Sequence, residues 1–304
     1  MTSGVILWLL FGASVGVMLA LDLGVFHRKA HIIKVKEALI WSAIWITVAL
    51  LFNLGIYFLL GSDEALKFLT AYLVEKSLSV DNLFVFLVIF SYFGVPFIYQ
   101  HKVLFWGILG ALIMRAVFIA TGLAVVERLH WVIYVFGAFL VFTGIRMSLR
   151  RDRELHPGDN PIIRLFRRFV PTTDDYQGDK FWVKESGRYL ATPLFLVLLV
   201  IETTDVVFAV DSIPAVLAVT LDPFIVYSSN VFAILGLRAL FFALAGVIQR
   251  LRYLHYGLSA ILIFLGLKML SSGIYKVPVS LALLVVAGIL IISGIISVFP
   301  PTKK

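Results

Sequence analysis

Two apolar stretches of the chain carry acidic residues at one spacing. The first reads Glu75-Lys76-Ser77-Leu78-Ser79-Val80-Asp81-Asn82, and the second Asp205-Val206-Val207-Phe208-Ala209-Val210-Asp211-Ser212. Glu202 stands one turn before the second pair. A carboxylate inside a membrane-spanning segment costs on the order of 3 kcal/mol unless it faces a cavity, a partner or an ion. Meeting that cost twice, at the same six-residue spacing, points to a cation site shared between two related halves.

The neighbours of these acids are oxygen donors. Ser77, Ser79 and Asn82 flank Asp81, Thr203 and Thr204 sit beside Glu202, and Ser212-Ile213-Pro214 follows Asp211. A proline within a span frees backbone carbonyls, which is tolerated where they line a site. Carboxylates, amide oxygens, hydroxyls and carbonyls suit Mg²⁺, Ca²⁺ or Mn²⁺, whereas Zn²⁺ and Cu⁺ favour softer donors. Cysteine is absent and no histidine falls near the centre of an apolar segment. Six acids lie in apolar segments: Asp22, Glu75, Asp81, Glu202, Asp205 and Asp211. Three bases lie deep: Lys76, Arg115 and Arg238. The excess negative charge favours a bound divalent cation, bound protons, or an exchange of one for the other.

A structural reading competes with this one. Lys76 could pair with Glu75, Arg115 with Asp81 and Arg238 with Asp211, as glue between helices, which would leave three acids unmatched. Asp22, near the end of its segment, reads equally as a solvated residue or as part of an ion path. Asn53 and Asn230 read as interhelical hydrogen-bond partners. Gly55, Gly110, Gly122, Gly144, Gly236 and Gly266 read as points of close helix packing.

The elements that must position these groups follow from composition. Of 304 residues 61% are hydrophobic and 14% charged, with mean hydropathy +1.00. Soluble domains carry about a quarter charged residues, so the chain reads as an all-α, polytopic membrane protein. With about 20 apolar residues per span, nine segments emerge: about 5–25, 38–60, 66–94, 103–123, 130–148, 191–219, 224–247, 253–272 and 277–299. With the N-terminus outside and the C-terminus cytoplasmic, 18 of the 26 Lys and Arg residues fall inside. The net charge of +8 is then the inside bias, and nucleic acid is not implied. The first segment lacks a preceding basic region and reads as a retained helix. The basic stretch 149–190 reads as a solvated cytoplasmic loop, with an amphipathic turn around Ile162–Val170.

An internal repeat organises the segments. Ala138-Phe-Leu-Val-Phe-Thr-Gly144-Ile-Arg146-Met147 matches Ala260-Ile-Leu-Ile-Phe-Leu-Gly266-Leu-Lys268-Met269, and Met114-Arg115-Ala-Val-Phe matches Leu237-Arg238-Ala-Leu-Phe. The expected organisation is one membrane domain. It holds two N-terminal helices (1–65), repeat A (66–148), the cytoplasmic loop (149–190), repeat B (191–272), and a last helix with a tail (273–304). Each repeat has three spans and the connection between them lies inside, so the two copies are inverted, a 3+3 plan common among secondary transporters. No Gly-rich nucleotide loop, HExxH or serine-nucleophile motif is present, so neither an enzyme nor an ATP-driven pump is expected.

The acidic stretches, Glu75-Lys-Ser-Leu-Ser-Val-Asp81-Asn82-Leu-Phe-Val-Phe and Glu202-Thr-Thr-Asp205-Val-Val-Phe-Ala-Val-Asp211-Ser212-Ile-Pro214, resemble the signature segments of the TerC family of membrane proteins. The resemblance implies a bacterial inner-membrane protein that handles divalent metal, with Mn²⁺ export from the cytoplasm as the leading activity and no organic cofactor. It also offers tellurite resistance, help in metalating exported proteins through membrane or secretory partners, and a redox-modulator role; the absence of cysteine weakens the last. Glu75, Asp81, Glu202, Asp205 and Asp211 are the metal positions carried over. Asn82 and Ser212 follow as secondary ligands, and Arg115, Arg238 and Lys76 as charge partners.

Overall fold

The computed structural model describes residues 2–26, 35–149, 170–185, 187–245, 254–275 and 277–298. Along them run α1 (Thr2–Phe26), α2 (Val35–Leu60), α3 (Ser62–Tyr92), α4 (Phe97–Arg128) and α5 (Val132–Leu149). A hairpin of β1 (Trp182–Glu185) and β2 (Arg188–Ala191) follows, then α6 (Pro193–Leu217), α7 (Pro223–Leu235), α8 (Leu237–Ala245), α9 (Leu254–Leu270) and α10 (Val279–Val298). The chain is thus an all-helical membrane protein carrying one small antiparallel hairpin.

Helix runs along each of the nine apolar segments, and the seventh is split into α7 and α8 at Gly236. Among the described residues five helices are long and apolar enough to span a bilayer: α2, α4, α5, α6 and α10. A sixth is added if α7 and α8, bent by 40°, make one broken span. The apolar runs of α1 and α9 are shorter. α3 carries Asp63, Glu64, Lys67, Glu75, Lys76 and Asp81 along its length. Near its start Lys67 pairs with Asp63 and Glu64. Deeper in the helix, Glu75 and Lys76 have protein partners in place of lipid, because α3 packs against α2, α6, α7 and α10. The outer helices do the opposite. Leu9, Val17, Leu50, Phe58, Ile291 and Ile295 are exposed, as lipid-facing residues should be.

Local chemistry sets the helix ends. α3 stops in a Schellman motif: Gly94 takes φ 62°, its N–H reaches the Ser91 carbonyl at 3.1 Å, and the Val95 N–H reaches Phe90 at 2.9 Å. Pro193 and Pro223 open α6 and α7 at positions where the missing N–H costs nothing. Asp222 caps α7 by accepting from the Ile225 N–H at 2.9 Å.

The packing pattern keeps its form when the two halves are exchanged. α3 of the first half packs on α7 of the second, and α4 on α6; α3 also packs on α6, and α5 on α9. The last pair crosses very closely. A Cβ on Gly137 would lie 2.9 Å from the Gly266 carbonyl oxygen, and one on Gly144 2.8 Å from that of Ser259. These pairings run antiparallel. They also interchange under the sequence match, since Gly137 corresponds to Ser259 and Gly144 to Gly266. Close backbone approach through small residues is the way helices associate where lipid is as apolar as their side chains. Gly122 fits its expected packing role against Leu217, but Gly55 has nothing near it.

The segment 149–190 departs from a plain solvated loop, although residues 150–169, including nearly all of the expected amphipathic turn, lie outside the described ones. Trp182 pairs with Ala191 and Glu185 with Arg188, and Gly187 supplies φ 77° at the turn. The approach to the hairpin is tied to the α3–α4 turn. Tyr176 Oη donates to the Phe93 carbonyl at 2.8 Å. Lys102 Nζ donates to the Asp179 backbone and side-chain oxygens at 2.6 and 3.0 Å, and lies 5.1 Å from the Phe181 ring centroid. The two connections therefore occupy one end of the bundle, as the inside assignment of both requires.

Two outcomes follow. Gly266→Leu should lower the melting temperature in detergent well below that of Gly12→Leu, where no atom lies within 4 Å, because overpacking against backbone costs about 1–3 kcal/mol. Equal melting of the two would show that the α5–α9 crossing has slack. The second outcome concerns pH. The hydrogen bond from Lys102 holds the Asp179 carboxyl below the usual carboxylate range. Its contribution is therefore present above the unfolded carboxylate value and lost as pH falls through the lowered one. Amide exchange at Lys180 and Phe181 should rise as pH drops below about 4, relative to Asp179→Asn, which should lack that step. The effect is small, because Asp179 is 61% exposed.

Candidate functional site

α3, α4, α6 and α7 converge on one buried cluster of charge. Arg115 comes from α4 and is 1% exposed; Glu75 comes from α3 and is fully buried. Arg115 Nη1 donates to Glu75 Oε1 and, at 3.2 Å, to Ser212 Oγ. Its Nε and Nη2 face Asp205 at 3.5 and 3.4 Å. Glu75 accepts further from Ser79 Oγ at 3.4 Å and from Asn230 Nδ2 at 3.1 Å. One guanidinium thus holds one carboxylate from each half of the chain.

Helix geometry explains the set. Glu75 and Ser79 are four residues apart on α3, and Asp205 and Ser212 are seven apart on α6, so each pair shares a face. Glu202, three residues before Asp205, is on the same side of α6 and half-buried. Its carboxylate fills the space that a side chain at Gly110 would need. Gly110 therefore seats a carboxylate in addition to letting α4 approach α6. The six-residue spacing acts differently. At 100° per residue it turns the second acid of each stretch about 120° from the first. The matched first acids, Glu75 and Asp205, consequently meet at Arg115, while Asp211 lies half-buried further round α6. Pro214 lacks the N–H that would otherwise reach the carbonyl of Val210, beside Asp211.

The expected glue pairs are partly corrected. Lys76 points away from Glu75 and donates to the Ala233 carbonyl at 3.1 Å, near the end of α7. Successive helix residues diverge by 100°, so Lys76 and Glu75 cannot share a partner face. A Cβ at Gly236 would come within 2.7 Å of the Lys76 Nζ, so glycine at the α7–α8 break makes room for that ammonium. Arg115 takes Glu75 and Asp205 as partners; the side chain of Asp81, its expected partner, lies outside the described ones, as does that of Asp22. Asn82 is 4% exposed on α3, and Arg238 is 1% exposed just after the break.

Among the described residues no three Asp, Glu or His side chains are grouped closely enough to hold a metal ion. The donors that do converge are all hard oxygens, held in this conformation by a guanidinium. Glu75, Asp205, Ser212 and Asn230 are each no more than 4% exposed, so the cluster is occluded. Asn230 was expected to bond between helices, and it does; that its partner is Glu75 is the part the sequence does not reveal. Ser79 enters the cluster through i, i+4 spacing, a signal that was available.

Removing Arg115 leaves two buried carboxylates uncompensated. Arg115→Met should destabilise the protein by about 3–5 kcal/mol in detergent unfolding, and adding Glu75→Gln with Asp205→Asn should recover much of it. Arg115→Lys should recover little, because an ammonium cannot span both carboxylates. Wild-type stability in Arg115→Met would show that the cluster is not what joins the halves.

The family described as "Integral membrane protein TerC family" matches residues 60–304. The uncharacterised membrane protein STKORF319 of Myxococcus xanthus is 54% identical over 284 residues, covering 93% of this chain and 89% of that protein. Alx of Escherichia coli K12, named as a candidate membrane-bound redox modulator, is 48% identical over 301 residues, covering 96% and 94%. An uncharacterised membrane protein of Rickettsia bellii is 38% identical over 291 residues, covering 96% of each chain. No solved structure matches.

Proposed function

The chain belongs to the TerC family of integral membrane proteins, and on that premise we propose that it is a transporter, not an enzyme, that exports hard divalent cations, Mn²⁺ foremost, from the cytoplasm in exchange for protons. It sits in the bacterial inner membrane with its N-terminus outside and its C-terminus cytoplasmic. The observation that carries the reading is the occluded cluster in which Arg115 joins Glu75 and Asp205 across the two halves. Manganese in particular comes from the family resemblance; the hard-oxygen donor set is compatible with it and equally with Ca²⁺ or Mg²⁺.

Arg115 acts as the cargo's stand-in. With the site empty, it supplies the positive charge that two buried carboxylates need. An arriving divalent cation competes for the same oxygens and frees the guanidinium. Asp81, Asp211 and Glu202 extend the acidic path, with Asn82 and Ser212 as neutral oxygen donors and Arg238 and Lys76 as further fixed charges. Protons taken up by the carboxylates after release would relieve their repulsion on the return step. The halves form an inverted repeat, and rocking of one against the other opens the occluded cluster to each side in turn. The interchangeable packing of α3 on α7 with α4 on α6, and the antiparallel crossing of α5 and α9, support that arrangement. The redox role in the name of Alx finds no thiol in this cysteine-free chain.

Mn²⁺ flux into proteoliposomes under a pH gradient tests the proposal. Wild type should carry Mn²⁺, and Asp81→Asn, Asp205→Asn and Asp211→Asn should each lower flux at least tenfold. Binding without flux, in folded wild-type protein under either direction of gradient, would replace transport with metal delivery to a partner.

A further inference from the structure

Asn230 is 1% exposed on α7, away from both acidic stretches in sequence. Its Nδ2 donates to Glu75 Oε2 at 3.1 Å, whereas its Oδ1 is buried and has no hydrogen-bond partner among the described residues. Chemistry fixes that orientation. Turning the amide over would set its oxygen against the carboxylate, acceptor to acceptor, and waste the donor. Glu75 is well supplied, with Arg115 and Ser79 donating to Oε1 and Asn230 to Oε2. The amide oxygen is the group at this cluster left wanting a positive partner. An orphaned buried acceptor costs about 1–3 kcal/mol, so a polar group kept in this state beside an ion-binding carboxylate calls for a purpose.

We infer that Asn230 Oδ1 is a ligand of the transported divalent cation, joining Glu75, Asp205 and the Ser212 hydroxyl to form an oxygen set drawn from α3, α6 and α7. The inference rests on the transporter reading. Amide oxygens are ordinary neutral ligands of hard divalent cations. The two carboxylates balance a divalent charge, and Asn230 adds coordination without adding more negative charge. Its single amide does two jobs in the cycle. Nδ2 steadies Glu75, and Oδ1 faces the cargo. Because Asn230 lies two turns before the α7–α8 break at Gly236, a bound ion would also bear directly on the broken helix.

The test uses full-length purified protein in detergent. Mn²⁺ binding is followed by loss of the free-ion paramagnetic resonance signal, together with the rise in melting temperature that Mn²⁺ causes. Asn230→Leu removes the amide at similar volume, Asn230→Asp keeps an oxygen but loses the donor, and Asp205→Asn checks the underlying site. Wild type should bind. Asn230→Leu should weaken Kd at least tenfold and lose most of the Mn²⁺-induced melting shift, while Asn230→Asp should bind at least as tightly as wild type. Asn230→Leu binding like wild type, with Asp205→Asn defective, would overturn the ligand assignment and leave the transporter reading standing. Loss of binding in both Asn230 variants would also overturn it, since the amide would then act only as the donor that positions Glu75. No binding by wild type, or undiminished binding by Asp205→Asn, would overturn the reading beneath it as well. If Asn230→Leu does not fold, Asn230→Asp decides alone, tight binding supporting the assignment and lost binding refuting it.

Discussion

Arg115 is the constraint around which the rest is arranged. A guanidinium 1% exposed in an apolar bundle must find carboxylates, and it finds one on α3 and one on α6. That requirement sets α4 against α6 and α7, with Arg115 reaching to Glu75 on α3. It also explains why α3, the helix richest in charge, is enclosed by neighbours while the largely apolar α2 and α10 leave many residues exposed. The small polar groups serve the same centre. Ser79 and Asn230 donate to Glu75, and Ser212 accepts from Arg115. Two carboxylates against one guanidinium leave an excess negative charge, the imbalance on which the proposed cation site rests.

Two parts of the bundle differ in kind. Where α5 crosses α9, backbone carbonyls and packed side chains such as Val141 and Ile263 crowd Gly137, Gly144 and Gly266, so sliding would break contacts at several points together. Where α7 meets α8, the helix is bent by 40° at Gly236, and the Ala233 carbonyl takes its hydrogen bond from a lysine of another helix. Stiffness at the crossing and a bend near the charge cluster would suit the proposed transporter, which would have to open a buried centre without coming apart. The broken helix carries Asn230 on one side of the joint and Arg238 on the other.

Much of this was legible in the residues. Hydropathy placed helix on all nine segments because lipid imposes a length that soluble folds do not. Gly144 and Gly266, expected at packing contacts and matched between the two stretches, do lie at a close crossing, though that the two stretches meet each other was not readable from them. Partner choice was harder to read. Spacing in sequence put Glu75 beside Lys76 and paired Asp81 with Arg115, but contacts across helices depend on rotation about the helix axis, and a one-residue step turns a side chain by 100°. Gly110 and Gly236 show the same limit. Both were expected at packing contacts, yet one seats the carboxylate of Glu202 and the other the ammonium of Lys76, and nothing in a glycine reveals which neighbour uses its space. The hairpin at 182–191 escaped notice because four-residue strands fall below what alternation can signal.

The geometry of Arg115 also bears on which ions the cluster would accept. Its fork makes contacts with both Asp205 oxygens and with Glu75 at once, all of them desolvated. A single hydrated alkali ion brings the same charge without that directionality, and it would have to shed water to compete, so exchange for the guanidinium offers it little. A divalent cation brings twice the charge in a compact volume and gains most where two carboxylates are held together in a low-dielectric setting. On the transport proposal, the resident arginine would thus work as a filter. It offsets the charge of the two buried carboxylates, and on that proposal it would set the threshold of charge that an incoming ion must exceed. On this argument the selectivity of the cluster begins with the residue that must leave, before any ligand geometry is considered.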